Sequence, residues 1–306
     1  MKKIAITLVM IFSLLSLSKA QTTATEFYDS GFKKYENKDY KGAIMDYDRC
    51  IEKDPKNADA YYNRGMAKYS LAQDDAAILD YNKSIELKPG VFDVYYNRGL
   101  CYFWKKDYTK AITDFNIALS IKSDHSKSYC YRGACYYYQA KDEEAKKDLT
   151  MAIGYDSNYP WSYYYRSLVK YAAIDDQGAI DDLTLAIEKN NNEYLFFYQR
   201  GLSKYSLKDY NGAMADFNMT IGLKTTYSSA YTWRGTTFFA QAKDDNAIAD
   251  FNKAIEMNPN DSQAFHFRGL SKSYKKDMSG ACTDLMKAKT LGYAKSQAEY
   301  EKLGCK

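Results

Sequence analysis

Seven arginines, Arg64, Arg98, Arg132, Arg166, Arg200, Arg234 and Arg268, recur every 34 residues, and sixteen residues after each stands an aspartate: Asp80, Asp114, Asp148, Asp182, Asp216, Asp250 and Asp284. Asp46 extends the acidic series one interval earlier, where Ser30 takes the arginine position. A guanidinium fork holds a carboxylate through two parallel charge-assisted hydrogen bonds, so this spacing points to a ladder of structural ion pairs. The same forks would serve a phosphate or carboxylate ligand, a weaker reading because each arginine has its own acid. Two pairings are open, within an interval (Arg64 with Asp80) or between neighbours (Asp46 with Arg64); the first leaves Asp46 unpaired and the second leaves Asp284 unpaired.

Other residue types that do chemistry are scarce. The two histidines, His125 and His266, stand far apart without the spaced partners of a metal site or a nucleophile triad. Each glycine of the repeating series is isolated in a helical pattern, so no loop cradles phosphate. No catalytic residue, metal or cofactor is expected, and the chain is not expected to be an enzyme.

The elements that must position the arginines follow from their neighbours. A small residue comes directly after each one, in the series Gly31, Gly65, Gly99, Gly133, Ser167, Gly201, Gly235 and Gly269, and an alanine follows twelve residues later, from Ala43 to Ala281. An aromatic residue always precedes the small one by four, as in Phe27, Tyr61, Tyr95 and Tyr129. In the second interval, Tyr61, Tyr62, Gly65, Met66 and Tyr69 follow the helical period, as do Ala77, Ile78, Tyr81, Ser84 and Ile85. Asp39, Asp107, Asp209 and Asp277 are good N-caps for the second helix, and Pro55, Pro89 and Pro259 stop it. A glycine kept seven times inside a helix, at about 0.5 to 1 kcal/mol against alanine, implies a close helix crossing. Self-similar units of this length stack, each completing its neighbour's core.

This pattern resembles the tetratricopeptide repeat. Counting positions within an interval, the small residues fall at 8, 20 and 27, the aromatic at 4, and the proline at 32. Eight copies are read, at 24–57, 58–91, 92–125, 126–159, 160–193, 194–227, 228–261 and 262–295. The resemblance implies an all-α fold, a right-handed α-solenoid superhelix of helix-turn-helix units, with a capping segment at 293–306. The arginine before the glycine departs from the family, which usually has leucine there. By resemblance the first helix of each repeat lines the inner groove, chiefly through positions 2, 5, 9, 12 and 13. The groove candidates are then Tyr28, Tyr62, Tyr96, Tyr164 and Tyr198 at position 5, with Asp59, Asp93, Lys127 and Trp161 at position 2. Position 5 is the better choice than position 12, because Cys130, Thr232 and His266 replace tyrosine there and packing demands it less. The expected partner is a peptide or protein; a polysaccharide in the same groove, or an assembly role using the outer face, are the alternatives.

The ends carry separate messages. Lys2 and Lys3 lead an apolar run from Ile4 to Leu17 and then Ser18-Lys19-Ala20, which reads as a signal peptide spanning 1–20. Export to the periplasm, cell envelope or exterior of a bacterium is expected. Removing 1–20 takes away three lysines and no acids, so the formal charge of +4 falls to +1. That balance lacks the basic footprint of a nucleic-acid binder, and no later stretch is apolar enough to span a membrane. At the C-terminus Leu291-Gly292 breaks the last repeat helix, and Tyr293 to Leu303 is predicted as a further short helix hiding the terminal apolar face. If this tail folds back antiparallel, Cys305 reaches Cys282 and a disulfide is expected between them.

Overall fold

A computed structural model describes residues 23–305. The segment read as a signal peptide lies outside the described residues. The helices come in consecutive pairs: α1 (23–36) with α2 (Tyr40–Lys53), α3 (Ala58–Ser70) with α4 (Asp74–Leu87), α5 (Phe92–Trp104) with α6 (Tyr108–Ile121), and α7 (Ser126–Tyr138) with α8 (Asp142–Tyr155). There follow α9 (Pro160–Ala172) with α10 (Asp176–Lys189), α11 (Tyr194–Ser206) with α12 (Tyr210–Leu223), α13 (Ser228–Ala240) with α14 (Asp244–Met257), and α15 (Ser262–Tyr274) with α16 (Met278–Thr290). A short α17 (Ser296–Lys302) ends the series. The chain divides into two compact units, one to Asp156 and one from Ser157. Inside each unit every odd helix packs on the even helix that follows it, and that even helix on the next odd one.

The turn inside each pair is built the same way eight times. Lys38, Ala72, Lys106, Ala140, Ile174, Lys208, Ala242 and Lys276 all take the left-handed conformation, with φ between 55° and 68°. In the first, the Lys38 N–H bonds Tyr35 C=O and the Asp39 N–H bonds Lys34 C=O, both at 2.9 Å, which is a Schellman closure of α1. The residue that completes this closure then caps the next helix. Asp39, Asp107, Asp175, Asp209 and Asp277 each accept the backbone N–H three residues on, an arrangement worth about 1 kcal/mol. Gln73, Lys141 and Lys243 occupy the same place without a side-chain cap.

The core is one large side chain per pair set into the small residue opposite. Tyr47, Tyr81, Phe115 and Leu149 in the first unit, and Leu183, Phe217, Phe251 and Leu285 in the second, are wholly buried on the even helices. A Cβ added at Gly65 would lie 2.7 Å from Tyr81 Cε1, and at Gly201 2.7 Å from Phe217 Cε1. The glycines therefore set the distance at which the paired helices cross.

The C-terminal segment differs from its sequence reading. The Tyr293 N–H bonds Ala288 C=O at 3.0 Å to close α16, with Gly292 in the left-handed region at φ 87°. Tyr293 thus completes a turn, and the short helix begins only at Ser296. Cys282 on α16 is bonded to Cys305 just beyond α17, their Cα atoms 5.5 Å apart.

Candidate functional site

Each arginine of the series binds the aspartate of its own helix pair through both edges of the fork. Arg98 Nε donates to Asp114 Oδ2 at 2.8 Å and Nη2 to Oδ1 at 2.6 Å; Arg64 holds Asp80, and Arg132 Asp148, in the same way. In the second unit Arg166, Arg200, Arg234 and Arg268 hold Asp182, Asp216, Asp250 and Asp284 alike. The remaining Nη1 reaches back to the preceding pair: from Arg64 to Asp48, from Arg98 to Asn82, from Arg132 to Asn116, and in the second unit from Arg234 to Asn218 and from Arg268 to Asn252, at 2.6 to 2.7 Å. The pairing left open by the sequence is thus within each interval, with the link between neighbours made by a different residue. Asp46 is not left unpaired. Ser30 Oγ donates to it at 2.6 Å and Lys34 Nζ sits 2.6 Å away.

Two further parts of this arrangement have a sequence signal that spacing alone did not interpret. Every one of the seven guanidiniums lies over the aromatic ring three residues before it, from Arg132 over Tyr129 at 5.2 Å to Arg166 over Tyr163 at 5.8 Å. The aromatics at that position therefore shelter the forks. A lysine one turn after the arginine adds a second cation to the aspartate in some pairs, as with Lys68 on Asp80 at 2.7 Å and Lys204 on Asp216 at 2.8 Å. Where that lysine is replaced by Tyr102, Tyr136 or Phe238, the aspartate keeps its arginine alone. The electrostatics follow. Burial pushes the Asp114 carboxyl above the usual carboxylate range in spite of Arg98, whereas Asp46, although burial works against it, is held low by its bonds from Lys34 and Ser30. A free anion would have to displace a bidentate partner from any of these forks, so their geometry serves the fold.

The tyrosines expected at the groove are more embedded than their variability implied. Tyr28 and Tyr62 are half-buried, with rings 5.9 and 6.0 Å from Tyr47 and Tyr81 of their own pair. Their hydroxyls accept Asn63 Nδ2 at 2.7 Å and Asn97 Nδ2 at 3.0 Å from the next pair. Tyr96 packs on Phe115 and, with Phe92, encloses the His125 ring at 4.6 to 4.9 Å. Burial raises the phenol pKa of Tyr62, Tyr96 and Tyr198. The Tyr28 and Tyr62 side chains thus tie neighbouring pairs together. Asp59, Asp93 and Lys127 are exposed, Asp59 with Lys88 Nζ 3.4 Å away. In the second unit Trp161 and Tyr164 gather with Phe196, their rings 5.1 to 5.4 Å apart, and Tyr198 meets Tyr227 edge-on at 5.0 Å.

Besides Phe32 and Tyr155, each 45% exposed, the first unit leaves large aromatic rings in solvent at the end of its odd helices. Trp104 and Tyr138 occupy the last helical position of α5 and α7 and are 53% and 47% exposed. The Trp104 indole N–H donates to the Tyr69 hydroxyl at 2.9 Å, and Tyr138 stacks on Tyr108 at 5.0 Å. Phe103 lies edge-on to Trp104 at 5.0 Å and joins the two clusters. A signal was present in the sequence: the same position is Glu36, Ser70, Ala172, Ser206 and Ala240 in five other repeats, so large rings there stand out, and the eighth repeat carries a third, Tyr274, 69% exposed in the second unit.

Family models described as tetratricopeptide repeats match residues 92–125, 58–90 and 228–261, and a further one described as a TPR repeat matches 33–71. No curated protein matches the sequence. Among solved structures, a tetratricopeptide repeat protein from Parabacteroides merdae ATCC 43184 superposes with a TM-score of 0.64 at 17% identity, over 82% of this chain and 99% of that one. The Pseudomonas aeruginosa pilF structure gives 0.62 at 17% identity, over 70% and 97%. The Cut9-Hcn1 tetramer of the APC/C gives 0.67 at 13% identity, over 89% of this chain and 54% of that one. With sequence matches in both units and paired helices like those of these solved repeat proteins, the chain belongs to the tetratricopeptide repeat family.

Proposed function

We propose that this protein is an exported, non-catalytic scaffold that holds a peptide or protein partner against the aromatic face of its odd-numbered helices. Repeat arrays of this kind present extended surfaces to their ligands. The observation that carries the reading is the half-exposed pair Trp104 and Tyr138, backed by Tyr69, Phe103 and Tyr108. Aromatic side chains of this size left in solvent are the residues that dominate binding interfaces. A non-catalytic role is supported by the two histidines: His125 is enclosed by rings and caps α7, and His266 is buried against Ser296 and Tyr293. Export is supported by the pattern of residues 1–20 and by the Cys282–Cys305 disulfide, which persists in oxidising compartments.

The test is capture of partners from envelope extract by the chain beginning at Gln21, comparing wild type with Trp104→Ala/Tyr138→Ala. The double variant is expected to lose the captured protein, while Leu79→Ala, a change at a still more exposed side chain on α4, is expected to keep it. Capture that survives the double variant and fails in Leu79→Ala would assign binding to the outer face and overturn the reading. Export is checked by fractionation and by N-terminal sequencing, with Gln21 as the expected first residue.

A further inference from the structure

We propose a second binding site, for a neutral saccharide, in the C-terminal unit where α13, the α14–α15 turn and the cap converge. A cavity of about 340 Å³ opens there, lined by Ser229, Thr232, Trp233, Asn258, Asn260, Asp261, Ser262, Gln263 and Tyr293. Its chemistry differs from that of the aromatic face in the first unit. Hydroxyls and primary amides make most of the wall, and an aromatic side chain is supplied by α13 and by the cap. An amide presents a donor and an acceptor side by side, which matches the paired hydroxyls of a sugar ring. An aromatic face matches the ring's C–H surface.

Charge and saturation narrow the ligand. The one ionisable carboxylate is already engaged at both oxygens: Asp261 Oδ1 accepts the Ala264 N–H at 2.9 Å to cap α15, and Oδ2 accepts the Thr232 hydroxyl at 2.5 Å. The lining contains no lysine or arginine, so nothing there selects an anionic group. A cation would meet a lone carboxylate that already accepts a hydrogen bond at each oxygen, with no second acid in the lining. Ser229 is likewise held by Tyr198 and Tyr227. The exposed Asn260 side-chain amide and the half-buried Ser262 hydroxyl line the cavity, together with the amide of Asn258, whose Oδ1 accepts the Asn260 N–H at 3.2 Å and whose NH2 remains a donor. A protein partner anchors through apolar or aromatic side chains in pockets, and this wall offers amides where such an anchor needs apolar contact. The site is therefore built for a ligand that is uncharged and rich in hydroxyls.

The site goes beyond the scaffold reading and stands or falls separately from it, since Trp104 and Tyr138 lie outside it. The test is calorimetric titration of the oxidised chain from Gln21 with chitotetraose, cellotetraose and maltotetraose. One of the three is expected to bind, with affinity reduced at least about tenfold in Asn260→Ala and in Gln263→Ala and unchanged in Trp104→Ala. Both amide variants replace partly exposed side chains, so a matching circular dichroism melt will show that the fold is retained. Absence of heat with all three at about 10 mM overturns the proposal, as does binding that both amide variants leave intact.

Discussion

At the scale of single residues the arginine fork combines three contacts, a bidentate carboxylate, a ring beneath it and a reach to the preceding pair. Its energetic weight depends on what else holds the aspartate. Asp114 has Arg98 alone, whereas Asp216 has Arg200 and Lys204. Removing Arg98 strands a buried carboxylate, so Arg98→Ala is expected to lower unfolding free energy by about 3 kcal/mol, and Arg200→Ala by clearly less. Urea titrations of the two variants decide it; equal losses would mean that the lysine contributes nothing. The core offers an opposite case. Tyr81 is wholly buried and its hydroxyl has no hydrogen-bond partner, while Phe115, Phe217 and Phe251 fill the same place without one. Tyr81→Phe is expected to stabilise the chain by about 1 kcal/mol, measured in the same titration. The position of the arginines and their acids was legible from spacing. Their exact partners were not, because one aspartate stands sixteen residues after each arginine and another eighteen before it, and only the direction of the fork separates them.

At the scale of elements, helix length and turn register follow from local rules that the sequence states openly. The aspartates ahead of the second helices do cap them, and the turn residue before each cap is left-handed. Ile174 is the misfit among these residues: a β-branched side chain at φ 62°, 85% exposed. Ile174→Gly is expected to raise the thermal midpoint, by about 1 kcal/mol in stability, because it relieves backbone strain and removes no buried contact. The cap supplies a pH-dependent element. Burial lowers His266 from 6.5 to about 4, with Glu299 opposing the shift and Lys295 adding to it. The folded state therefore prefers the neutral ring, and the unfolded chain binds the extra proton between these values. Stability is full above pH 6.5 and falls as pH drops toward 4, by at most about 1.4 kcal/mol per pH unit. His266→Gln is expected to flatten that slope in melts between pH 7 and about 4.5.

At the scale of the whole molecule, repeats need their terminal apolar face covered, and here the cover is clamped covalently. The Cys282–Cys305 bond closes a 23-residue separation, which corresponds to about 3 kcal/mol of unfolded-chain entropy. Cys282→Ser/Cys305→Ser, or reduction of the native chain, is expected to loosen α17 first, seen as faster amide exchange at 296–302 with the other helices protected. The remaining cysteines will not interfere, since Cys50, Cys101, Cys130 and Cys135 are all buried and burial pushes the thiols of Cys50 and Cys101 up to about 11 and about 12. By itself the sequence determined the fold class, the repeat interval, the caps and the small residues at each crossing, because all of these depend on neighbours within one helix pair. Only the tertiary structure decided which tyrosines are embedded and which rings stand in solvent. Tyr62 and Trp104 have equally aromatic surroundings in the sequence, but one is covered by Asn97 and Tyr81 brought from other helices, and the other ends its helix where no neighbour reaches across it fully. Exposure is a property of packing between elements, and helical periodicity carries no information about where that packing stops.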